Sequence, residues 1–161
     1  MIFTKNNYVK FLRAVLVILG VGILGFAVFY LPYFAELAAA YYEDLAFLKT
    51  PILIFVYISA VPFYIALFQG YKICNTIVNN NPFSTGNLKS FKIASFSALA
   101  VSVMYFAGTG VFAILKVERP ILYIVFVLIG VCALVFTLLC EVLNQLLSKA
   151  IELREENDLT V

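Results

Sequence analysis

The chain has 161 residues, is 64% hydrophobic and 12% charged, and carries a formal charge of +2 with a mean hydropathy of +1.03. A soluble domain of this size has too little interior to absorb that much apolar side chain, which excludes a water-soluble globular fold and leaves lipid as the solvent. Histidine is absent, so the usual zinc ligand and the usual neutral-pH base are both missing, and no enzyme, metal site or cofactor is expected.

A membrane-spanning helix needs roughly 20 mostly apolar residues. Four stretches without a formal charge meet that length, at 14–35, 50–71, 93–115 and 120–140. The short alternating segments of a barrel are missing. The predicted fold is all-α: a four-transmembrane-helix bundle, up-down-up-down, built as a single integral membrane domain.

Lys5, Lys10 and Arg13 precede the first span. Its apolar run exceeds the roughly 7–15 residues of a cleaved signal, so the helix is expected to stay. Within it, Gly20 to Gly25 read GVGILG and formally match the dinucleotide fingerprint GxGxxG. That fingerprint needs a strand before it, and inside an apolar span small residues point to close helix packing instead. Gly108, Gly110 and Gly130 invite the same reading. Residues 36–49, ELAAAYYEDLAFLK, suggest a short helix along the outer interface, with Tyr30, Tyr33, Tyr41 and Tyr42 as an aromatic belt.

Pro51 and Pro120 open the second and fourth spans, where a missing N–H costs nothing. Pro62 lies mid-span. It removes the donor to the Ile58 carbonyl and predicts a kink.

Residues 77–92, IVNNNPFSTGNLKSFK, are the most polar stretch before the C-terminus. Asn79 to Asn81 before Pro82 should end a helix. Ser84 suits an N-cap that accepts the amide of Gly86 or Asn87, and Phe83 with Leu88 has the spacing of a hydrophobic staple. Residues 84–92 are therefore read as a cytoplasmic start to the third helix. Leu88 and Phe91 should turn inward, while Lys89 and Lys92 meet lipid phosphates or a partner. The outer turn that follows the third span, KVERP, is minimal.

The fourth helix overruns its span, so 141–161 reads as a cytoplasmic extension with an acidic tail. Leu139, Leu143, Leu146, Ala150 and Leu153 recur at three- and four-residue steps. The ends of the second and third helices are expected to cover this stripe. Cys74, Cys132 and Cys140 have no CxxC spacing and read as buried, inert thiols.

Orientation follows from basic residues, which stay on the cytoplasmic side. One side holds Lys5, Lys10, Arg13, Lys72, Lys89, Lys92, Lys149 and Arg154, the other only Lys49, Lys116 and Arg119. Both termini and the central turn are expected in the cytoplasm, below a bacterial inner membrane. No ionisable residue falls near the middle of a span, which argues against ion-coupled transport. Glu141, at the cytoplasmic edge, is expected to form a structural ion pair with Lys72, with Lys89 and Lys92 as alternatives.

The motif Asn81-Pro82-Phe83-Ser84 with Asn87, together with the closing Glu155 to Val161 (EENDLTV), resembles the YoaS-like proteins. These form an uncharacterised family of bacterial inner-membrane proteins with four helices, and the likeness covers essentially the whole chain. Thr85 and Gly86 depart from the helix-favouring, often acidic residues expected after the serine. The resemblance implies no active site. It does imply a membrane-held partner or sensor for a helix-turn-helix transcription factor, the kind of regulator often encoded beside such proteins.

Two readings of function follow. In the first, Lys72, Lys89 and Lys92 with Glu152, Glu155, Glu156 and Asp158 bind a partner, that regulator or a second copy of the chain, with direct nucleic-acid binding not expected. The acidic tail either docks on the partner or clasps the chain's own basic loop. In the alternative, the protein binds a small solute or a lipid, using Pro62, Gln69, Thr109 and the tyrosines 57, 64, 105 and 123. A polar cavity beside Pro62 is the mark of that reading.

Overall fold

The computed structural model describes residues 5–79 and 84–159. Among them every regular element is helical: α1 (Lys5–Gly25), a π-helical turn (Phe26–Tyr30), α2 (Leu31–Tyr41), a 3-10 segment (Glu43–Leu48), α3 (Lys49–Val78), α4 (Thr85–Ile114) and α5 (Pro120–Leu159). Four stretches are long and apolar enough to cross a membrane, the first running through α1 and α2. The chain is thus a multi-pass membrane protein. Its many outward-facing Leu, Ile, Val and Phe side chains, such as Ile18, Phe29, Phe96 and Ile121, suit a bilayer as solvent.

The expected interfacial helix at 36–49 is not a separate element. The first span continues helical to Tyr41, and only the 3-10 segment follows. Pro32 explains the interruption within that span. It has no N–H to offer Val28, and the turn before it widens, so that the Leu31 amide donates to the Phe26 carbonyl. Ala27 then lacks both its i+4 and i+5 amide donors. The Tyr57 hydroxyl of α3 donates to the Ala27 carbonyl at 3.0 Å in their place.

In space the order is α1, α3, α4, α5, each packed on the next. The core lies where α3, α4 and α5 meet. Phe126 stacks within 4.7–5.4 Å of Phe112, Tyr105 and Phe55, measured between ring centres. α4 lies in the middle and is the most buried helix. Its inward face reads Asn87, Ser90, Ala94, Ala98, Val101, Ser102, Tyr105, Gly108 and Phe112. Ser90, Ala94, Ala98 and Ser102 repeat a small side chain every four residues, which lets α5 approach closely. The Ser102 hydroxyl donates across that contact to the Gly130 carbonyl at 2.9 Å.

Packing divides the glycines. A Cβ on Gly108 would lie 2.8 Å from the Phe126 ring, and one on Gly130 would lie 3.3 Å from Phe106. These two fit the close-packing expectation. Gly22, Gly25 and Gly110 face open space, and Gly20 would make only ordinary contact, so the glycine run in the first span is no packing motif.

Near the cytoplasmic start predicted for the third helix, Ser84 does take the N-cap position with extended backbone, but its side chain caps nothing. Its own carbonyl takes the Asn87 amide at 2.9 Å, which removes one of the amides its hydroxyl was expected to meet. Phe83, and with it the staple, lies outside the described residues. The inward positions there are Asn87 and Ser90, while Leu88 and Phe91 are half-buried. α3 runs through Pro62 as one unbroken helix.

Candidate functional site

Two ends of the bundle differ in how their charges are satisfied. At the end holding the α2–α3 and α4–α5 connections, Lys49 pairs with Glu36 at 3.3 Å, and the Arg119 guanidinium lies 4.4 Å above the Tyr42 ring. At the other end, Lys72, Lys89 and Lys92 are exposed. Lys89 and Lys92 border a shallow depression of about 290 Å³ with Leu88 and, from α5, Asn144, Gln145 and Ser148. Lys72, on α3, does not join them there.

Glu141 is exposed on α5 and does not pair with Lys72; the ion pair found among the described residues is Lys49–Glu36. The helix order gives the reason, since α4 stands between α3 and α5. Glu152, Glu155 and Glu156 are exposed on the last turns of α5, and Asp158 lies in the same helix with its side chain outside the described set. Neither Glu152 nor Glu155 forms an ion pair with the three lysines.

The apolar stripe of α5 is uncovered. Leu139, Leu143, Leu146 and Leu153 are 48–61% exposed, against the expectation that neighbouring helices bury them. At 40 residues, α5 measures about 60 Å, roughly twice the hydrocarbon thickness. The antiparallel α4 begins only at Thr85, and its first turns meet α5 near Ser148. Beyond that point Leu153 stays exposed among the described residues, while Ala150 is half-buried.

Between the non-adjacent helices α1 and α5 lies a partly enclosed cleft of about 370 Å³. Leu16 and Leu19 form one wall, Ile129, Cys132 and Phe136 the other, and Phe63, Ala66 and Ala98 the floor. Cys132 is exposed there, whereas Cys74 and Cys140 are buried, so the three thiols do not share one environment. Of the other polar groups named from sequence, the Thr109 and Tyr64 hydroxyls are spent on the Tyr105 and Gly20 carbonyls, and Ser59 and Tyr105 face each other at 3.3 Å. Gln69 keeps a buried carbonyl oxygen without a partner. None of these groups lines the cleft.

Sequence reasoning counted Arg13 only toward orientation, yet its guanidinium joins α1 to α3. Its guanidinium donates to Asn75 Oδ1 at 3.1 Å and to the Tyr71 hydroxyl, and lies 4.7 Å above the Tyr71 ring. The available signal was Tyr71 and Asn75, four residues apart on one helix face and level with the start of the first span.

Comparison with known proteins agrees with a membrane protein. The model of a family described as protein of unknown function (DUF2975) matches residues 33–161. The uncharacterised membrane protein YoaS of Bacillus subtilis (strain 168) is 33% identical over 153 residues, covering 94% of this chain and 96% of its own. No solved structure matches. A membrane fold of four long apolar helices, matched to one family over most of its length, places this chain in the DUF2975 family of YoaS-like membrane proteins.

Proposed function

We propose that the protein is a non-catalytic component of a bacterial inner membrane that holds a helix-turn-helix transcription regulator at its cytoplasmic end. The observation that carries this reading is the uncovered stripe Leu143, Leu146 and Leu153 on the overrun of α5. An apolar seam at heptad spacing on a helix that leaves its bundle is suited to a second helix. The side charges agree: Lys5, Lys10, Arg13, Lys72, Lys89, Lys92, Lys149 and Arg154 all fall at this end, which favours the cytoplasm for it. Glu152, Glu155 and Glu156 then present carboxylates to the basic DNA-reading surface of such a regulator. Docking there and DNA binding exclude each other.

The test is co-purification of the regulator encoded beside this protein with the full chain. The paired substitution Leu146→Glu and Leu153→Glu touches exposed side chains only, so membrane insertion should persist while capture falls by about tenfold or more. Undiminished capture contradicts the reading. A self-associated chain that the same substitutions dissociate, with no regulator captured, assigns the stripe to a second copy and contradicts it as well. The solute reading gains nothing from the cleft between α1 and α5, whose carbon-lined walls suit hydrocarbon rather than a polar solute.

A further inference from the structure

A second groove runs along the outer face of the α1–α3 pair, and Arg13 stands at its head. Its upper part, about 250 Å³, is lined by Leu16, Gly20, Leu67 and Tyr71. It continues past the shared side chains Tyr64 and Phe68 to Leu24 and Ala60. From Tyr71 to Ala60 the groove follows three turns of α3, roughly 16 Å.

Tyr71 joins the two parts. Its ring lines the groove and lies under the guanidinium, while its hydroxyl takes an Arg13 proton. Both of Arg13's hydrogen-bond partners are neutral, so its positive charge is positioned without being neutralised. Lys10, one turn away on α1, and Lys72, next to Tyr71 on α3, are exposed and also lack an acidic partner. No acidic residue occurs between Asp44 and Glu118. A half-buried cation held by two hydrogen bonds, two exposed cations beside it, and a groove leading away that is apolar except for Tyr64 and Gln69 match an anionic amphiphile with an extended tail.

We propose that this groove binds an anionic phospholipid, its phosphate held by Arg13 with Lys10 and Lys72, and one acyl chain laid between α1 and α3. Arg13 keeps three of its five N–H donors for phosphate oxygens, and Asn75 and Tyr71 hold the guanidinium in place. Selectivity comes from the cations, and tail affinity comes from the groove.

Native mass spectrometry of the full chain in detergent, titrated with dioleoyl phosphatidylglycerol or dioleoyl phosphatidylcholine, tests it. The native chain should retain phosphatidylglycerol at least about fivefold better. Arg13→Gln should erase that preference and leave phosphatidylcholine adducts unchanged, whereas Arg13→Lys, which keeps the charge, should retain most of it. Val21→Trp, at an exposed position lining the groove, should reduce adducts of both lipids. Equal retention of the two lipids by the native chain, or a preference that survives Arg13→Gln, overturns the proposal. A lipid-free dimer in place of lipid adducts also overturns it, because a second copy would then occupy the groove.

Discussion

Lys116 shows how one residue can hold a strained conformation that its neighbours require. Its φ of 52° lies in the left-handed region, where a side chain costs roughly 1–2 kcal/mol. The strain closes α4. The Lys116 amide donates to the Ala113 carbonyl at 3.2 Å and the Val117 amide to Phe112 at 3.1 Å, the paired bonds of a Schellman cap. Val117 and Phe112 are both in the buried core cluster, which supplies the hydrophobic contact that such a cap favours. Lys116→Gly should therefore stabilise the protein by about 0.5–1 kcal/mol, the relief of strain less the entropy glycine loses; thermal unfolding in detergent reads it. The glycines offer a paired test. Gly108→Ala drives a methyl into the Phe126 ring and should cost about 1–3 kcal/mol, whereas Gly22→Ala meets open space and should be neutral or slightly stabilising. From sequence both looked like packing residues, since an apolar run does not say which way each glycine faces.

At the scale of an element, the first span is the most instructive. Its existence was plain from 22 uncharged residues at 14–35, but its π-helical turn was not. That turn depends on Pro32 and on the Tyr57 hydroxyl reaching the freed Ala27 carbonyl from α3. Tyr57→Phe leaves that carbonyl without its donor in an apolar medium and should destabilise the α1–α3 pair by about 1 kcal/mol. The loss should register as faster protease cleavage near residues 26–32. α4 tells the opposite story. Its small-residue repeat Ser90, Ala94, Ala98 and Ser102 is present in the sequence, but which helix it faces is set by the spatial order. The capping signal was only half informative: a serine at the right place sets where a helix starts, yet its own carbonyl competed for the same amide. The overrun of α5 was legible from heptad spacing. That its leucines stay exposed among the described residues was not, because coverage depends on where α4 begins.

For the whole molecule, composition alone dictated a membrane protein, and segment lengths dictated four helices. Spatial order was the hidden part. α4 between α3 and α5 separates Lys72 from Glu141, leaves α1 leaning on α3, and opens both the inner cleft and the outer groove. The same order sends the C-terminal end of α5 out past the start of α4 at Thr85, so every proposed encounter with a soluble partner requires that end to face the cytoplasm. The direct measurement is labelling of single cysteines by a membrane-impermeant maleimide, in a chain carrying Cys74→Ala, Cys132→Ala and Cys140→Ala. In intact spheroplasts the Lys116→Cys chain should label, and the Lys89→Cys chain should label only after the membrane is opened. Labelling of Lys89→Cys from outside, with Lys116→Cys protected, would invert the protein and contradict the account.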